Sequence, residues 1–202
     1  TSSGETITFN GSSTTNAPRL DTDASLNIVI NKSSASNEVN FLGNGSFTNF
    51  TVSQGVADID DNTFTVSGTS DIDGTLSAST GTYNADGAFD ATGGNITFSG
   101  GGNLILSNTS VTSLGTFTKS TSTVKYDQNV AQNIDDVNYY NLTIEGGSNK
   151  TFTGNTDVSN ILDINGGVLV LNNSSHKITV AAVTLDASFI NISDGEMECS
   201  GT

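Results

Sequence analysis

The chain matches itself when laid on itself, and this internal repetition limits its fold more than any other feature. One copy runs from about residue 37 to 86 and another from about 122 to 172. Glu38-Val39-Asn40-Phe41 corresponds to Thr123-Val124-Lys125-Tyr126. Phe47-Thr48-Asn49-Phe50-Thr51-Val52 corresponds to Tyr139-Tyr140-Asn141-Leu142-Thr143-Ile144, and a Gly follows soon after each. Thr63-Phe64-Thr65 then aligns with Thr151-Phe152-Thr153, and Asp71-Ile72-Asp73-Gly74-Thr75-Leu76 with Asp157-Val158-Ser159-Asn160-Ile161-Leu162. Apolar positions keep their places while polar positions drift, the pattern expected when buried side chains are constrained and turns tolerate change.

Strand-like segments recur about every 19 to 25 residues within this pattern, as at Phe41, Phe64 and Tyr83, or Phe98 and Phe117. Side chains alternate across a strand, so Phe64 is expected inside with Thr63 and Thr65 outside, and Phe152 inside likewise. Stacked coils would align Phe, Ile, Leu and Val into ladders, and neighbouring rungs would supply the core that no single rung has. The sequence therefore predicts an all-β parallel β-solenoid, or β-helix, forming one elongated repeat domain over residues 1–202. Tandem β-sandwich modules are the alternative, because strand signals spaced about 8–12 residues apart are also present.

Composition agrees with patterned polarity rather than disorder. Only 34% of residues are hydrophobic, but charged residues make up just 13%, and Phe, Ile, Val and Thr recur throughout. With one Pro, no Trp and corners such as Asn44-Gly45, Asp86-Gly87, Gly93-Gly94 and Asn165-Gly166-Gly167, helix should be minimal. The 21 acidic against 6 basic residues give a net charge of -15, which opposes attraction to nucleic acid or anionic lipid heads. No apolar run approaches the ~20 residues a spanning helix requires, so membrane insertion is not expected. Cys199 stands alone and permits no internal disulfide, leaving an incidental thiol or a bond to a cysteine outside this segment. Thr1 in place of an initiator Met reads as a processed or excised piece.

The stretch Ser122-Thr123-Val124-Lys125-Tyr126, followed by Asn138 through Ile144, Lys150-Thr151-Phe152-Thr153-Gly154-Asn155 and Val158 through Asn173, resembles repeats in large Bacteroidetes surface proteins. Those repeats belong to secreted adhesin-like or fibre-like polypeptides whose other regions carry export and anchoring signals. The resemblance covers the second copy well and the first loosely. It implies an extracellular or cell-surface location and brings no catalytic motif with it.

The inventory of chemical groups points the same way. His176, the single histidine, sits in an expected turn at Asn172-Asn173-Ser174-Ser175 and has no Ser/His/Asp or Cys/His setting. Acidic pairs and clusters occur at Asp21/Asp23, Asp58/Asp60/Asp61, Asp71/Asp73 and Asp135/Asp136. Asp71 and Asp73, ahead of Gly74, are the sharpest calcium candidates, although they lack the remaining ligands of a calcium loop. A polysaccharide-degrading β-helix enzyme would want paired carboxylates, cations and exposed aromatic platforms, and it is the weakest reading. Thr-x-Thr triplets at Thr6/Thr8, Thr63/Thr65, Thr116/Thr118, Thr121/Thr123 and Thr151/Thr153 would suit ice binding if they stacked on one face. Sequons at Asn44, Asn49, Asn95, Asn141 and Asn191 are expected by chance in so Asn- and Thr-rich a chain.

The sequence therefore favours a non-catalytic structural or adhesive module whose partners are further copies or neighbouring repeats of the same polypeptide, with no cofactor beyond the calcium candidates. A glycan-binding module is the alternative. Its candidate contacts are Tyr126, Tyr139 and Tyr140, of which adjacent Tyr139 and Tyr140 cannot both face outward in a strand.

Overall fold

A computed structural model describes residues 4–20, 25–186 and 188–200. The chain is a β-solenoid of about nine turns, without helix among the described residues. Every strand pairing is parallel, which excludes the sandwich alternative, since sandwiches need antiparallel pairs joined by hairpins or Greek keys. Register partners lie 18 residues apart at Glu38 and Val56 and 24 apart at Thr15 and Val39, bracketing a spacing close to that expected from sequence.

Three faces wrap the coil. The first is built by Thr6–Gly11, Asn27–Lys32, Asn49–Gln54, Ser70–Ile72 and Phe89–Asp90, the second by strands from Thr15–Ala17 to Thr116–Thr118. The third begins at Gly45–Phe47 and continues through Thr63–Val66, Thr82–Ala85, Asn103–Leu106 and Thr123–Tyr126. Further along, the corners flatten. Thr156–Asn165 is one continuous strand, and the 19-residue strand Val168–Asp186 runs along the whole rung, pairing in turn with 149–151, 156–158 and 161–165.

Alternation produces the core as expected. On the third face Phe64, Tyr83, Leu104, Val124, Leu142 and Leu162 stack in register, all buried. On the second, Val39, Ala57, Leu76 and Ile96 do the same. Rings from the three faces meet in the middle. Phe64 lies 4.9 Å from Phe41, 5.1 Å from Phe47 and 5.7 Å from Phe50, all three in edge-to-face packing. Burying such side chains removes apolar area from water at roughly 25 cal/mol per Å².

Outside, amide side chains tie rung to rung. Asn49 Nδ2 donates to Asn27 Oδ1 at 2.7 Å, Asn40 Nδ2 to Asn16 Oδ1 at 3.1 Å, and Asn103 Nδ2 to Thr82 Oγ1 at 3.3 Å. This is why Asn and Thr are so heavily used at outward positions. At the corners, backbone stacks on backbone. A Cβ added to Gly87 would lie 1.8 Å from the Gly68 carbonyl oxygen of the rung before, so only glycine fits there.

The blocks matched in sequence do not sit above one another. Residues 38–41 lie on the second face, whereas 123–126 lie on the third; 63–65 lie on the third between 45–46 and 82–84, whereas 151–152 pair with 133–134 and 170. The two copies share inward and outward alternation, and the physical repeat is the single coil.

Candidate functional site

The tyrosines named as glycan contacts divide. Tyr126 and Tyr139 are fully buried, which removes both as surface contacts; Tyr140 is half-buried. The two interior hydroxyls lie 3.1 Å apart, Tyr139 Oη donates to the Asp135 carbonyl at 2.8 Å, and the Asp135 amide donates to Tyr126 Oη at 3.2 Å. The correction has a plain cause. Tyr126 shares strand parity with buried Val124, and Tyr139 pairs with buried Val158 at the inner wall. Burial pushes the hydroxyl pKa of both upward, as it does for Tyr83, whose Oη donates to Ser70 Oγ at 2.9 Å.

Asp71 and Asp73 stand in different settings. Asp71 is half-buried on the first face with Asp90 as its register partner on the next rung, while Asp73 is exposed. Burial pushes the Asp71 carboxyl up, and the charges of Asp73 and Asp90 add to this. Among the described residues no group of three or more His, Cys, Asp or Glu side chains is placed to hold a metal ion. Other acidic pairs shape corners. Asp58 Oδ1 accepts the Asp60 amide at 3.1 Å, where Asp60 adopts a left-handed φ of 48°. Asp135 Oδ2 accepts the Leu114 amide at 2.6 Å, and its Oδ1 the Asp136 amide. Asp21 and Asp23 lie outside the described residues.

His176 lies within the strand Val168–Asp186 rather than in a turn, half-buried, and Cys199 is exposed. The Thr-x-Thr triplets are dispersed. Thr6/Thr8 lie on the first face, Thr63/Thr65 on the third and Thr116/Thr118 on the second, so these three do not stack into a common array.

Two interior lysines were not singled out from sequence. Lys32 is buried with its ammonium donating to the Asn10 and Ser13 carbonyls at 3.2 and 2.9 Å and to Thr15 Oγ1 at 2.7 Å. Lys150 is buried and donates to the Gln128 carbonyl at 2.6 Å; burial pushes its pKa down. It stacks on buried Gln132, whose amide donates to the Leu106 and Asn108 carbonyls. These side chains reach across a corner of the preceding coil and donate to its backbone carbonyls. Parity is the signal that reveals them, because Lys150 is two residues from inward Phe152 and Lys32 two from inward Ile30.

Among the described residues, two shallow depressions lie in the part of the coil where faces merge. One of about 250 Å³ is lined by Asn138, Asn155, Thr156, Asp157, Lys177 and Thr179. The other, about 420 Å³, lies on the third face and includes Thr123, Asn141, Asn160, Ile161 and Asp163. No protein-family model, curated protein or solved structure matches the chain.

Proposed function

We propose that this chain is a non-catalytic structural or adhesive module of the cell exterior, a segment of a surface fibre, filament or large adhesin. The observation that carries this reading is the way the apolar ladders run to the edge of the coil. Leu169 and Leu171 are buried, yet their register partners in the rung Phe189–Cys199 are half-buried Ile190 and exposed Ile192. Phe189 beside them is 71% exposed. A parallel edge carrying exposed apolar groups is a template for another rung. A neighbouring repeat of the same polypeptide, or a second copy, supplies one. The resemblance to Bacteroidetes surface repeats supports the extracellular placement.

Electron microscopy and light scattering over a concentration series test the assembly. Rods of constant width that lengthen with concentration are expected, and Ile192→Asp should shorten them; compact monomers at every concentration would overturn self-association. Antibody labelling of intact source cells tests location, with labelling seen only after lysis as the contrary result.

A further inference from the structure

We infer that the depression on the third face is a binding site for a short, neutral oligosaccharide. This goes beyond a passive rod, and a rod lacking the site would still assemble, so the two ideas fail separately.

The groove originates in irregular register. Between the inner positions Tyr139, Val158 and Val180 and the start of the third face at Asn141, Ile161 and Ala182, the three successive rungs insert Tyr140, then Ser159 with Asn160, then Ala181. The middle rung therefore holds one residue more than its neighbours, and such an excess bends a strand locally and re-aims its side chains. Asn160 is one of the two residues left without a register partner there. Its Nδ2 donates to Asn141 Oδ1 at 2.7 Å, and Asn141 Nδ2 donates in turn to Thr123 Oγ1 at 3.2 Å. This chain of amides fixes one side of a groove of about 420 Å³, within the range of roughly 300–1,000 Å³ found for small-ligand sites.

The lining chemistry selects the ligand class. Ile161 is 38% exposed and offers an apolar patch. Around it stand the hydroxyls of Thr123, Thr143 and Thr184, the two amides, and the Asp163 carboxylate, one oxygen of which accepts from Asn165 Nδ2 at 2.8 Å. No Lys or Arg lines the groove, and Lys125, the register partner of Thr143, is held by Asp127 and Glu145, so an anionic ligand would meet the Asp163 carboxylate without a free counter-charge. Successive rungs present these groups at about 4.8 Å intervals along a line. A sugar chain matches this arrangement. Its rings expose one apolar face, its hydroxyls both donate and accept at a regular interval, and it carries no charge that the carboxylate would repel.

The test is a ¹⁵N-NMR titration of the intact chain with cellotriose, xylotriose, maltotriose, mannotriose and chitotriose separately. At least one should bind with a Kd below about 10 mM, shifting amides near 141–143, 160–163 and 184. Asn160→Ala and Asp163→Leu should each weaken that binding by about fivefold or more, the loss of one net hydrogen bond. Thr65→Val, on the same face four rungs away through Asn84, Ile105, Lys125 and Thr143, should leave it unchanged. These are outward positions, and the variant spectra report directly that the fold is kept. No binding by any of the five sugars, shifts confined to another face, or equal binding by the groove variants would overturn the inference.

Discussion

Tyr83, Tyr126 and Tyr139 each bring one hydroxyl into the interior, and each hydroxyl has a partner there. Their buried phenols resist ionisation, so the folded chain holds these protons at a pH where the unfolded chain, near about 10, releases them. Stability is therefore fully present below about pH 10 and is lost as pH rises above it; urea midpoints measured from pH 8 to 11 should fall steeply at the top, and flat midpoints would contradict this. Asp71 works in the opposite region of the scale. Its carboxyl is raised by burial and by Asp73 and Asp90, so its ionisation at neutral pH disfavours the fold. Asp71→Asn should raise the melting temperature at pH 7 and give no gain at pH 3, where the native carboxyl is protonated. The sequence pointed to Asp71 as a metal ligand because spacing alone displays charge; it does not display whether a third ligand is near. Tyr126 was misplaced for a similar reason, since an aromatic residue suits either a platform or a core until its strand parity is traced.

At the scale of the strand, parity decides nearly everything. Phe64→Ala should cost about 3–5 kcal/mol, because rings from Phe41, Phe47 and Phe50 surround the space it would vacate. Its neighbour Thr65 points outward, and Thr65→Ala should change stability by no more than about 0.5 kcal/mol; chemical denaturation of the pair measures the contrast directly. This much was legible, because Phe64 was placed inside and Thr63 and Thr65 outside from alternation alone. The face to which each strand belongs was not legible. Alternation is the same on all three faces, so blocks 38–41 and 123–126 align in sequence yet lie on different sides of the coil. Corner length sets the face, and corners are built from Gly, Asn, Asp and Ser in combinations that vary from rung to rung. The groove escaped notice for the same reason. It comes from extra residues such as Ser159 and Asn160, visible only when neighbouring rungs are paired.

Across the whole molecule, each coil touches only those beside it, so stability is a sum of rungs and of interfaces between them. Hydrogen exchange should show this gradient. Amides of 64–66, 83–85, 104–106 and 124–126, with a coil on both sides, should be the slowest to exchange. Those of Phe189–Cys199, paired on one side among the described residues, should exchange first, and uniform protection would argue against the additive picture.

The buried lysines carry a consequence for the outer surface. With Lys32 turned inward, the chain from residue 33 to 118 has no basic side chain at all, while Glu38, Asp58, Asp60, Asp61, Asp71, Asp73, Asp86 and Asp90 accumulate along it. Arg19 precedes this stretch and is exposed, and the outer lysines that follow it are engaged, Lys119 with Asp157, Lys125 with Asp127 and Glu145, and Lys177 with Glu196 and Glu198. The coils of residues 33–118 thus contribute acidic side chains alone, with Arg19, which packs beside Gly43, as a cation next to them. In the assembly proposed above, flank-to-flank bundling would meet electrostatic repulsion whereas end-to-end growth would bring hydrogen-bonding edges together, and raising salt from 0.1 to 1 M, which shortens the screening distance from about 10 to about 3 Å, would remove most of that bias.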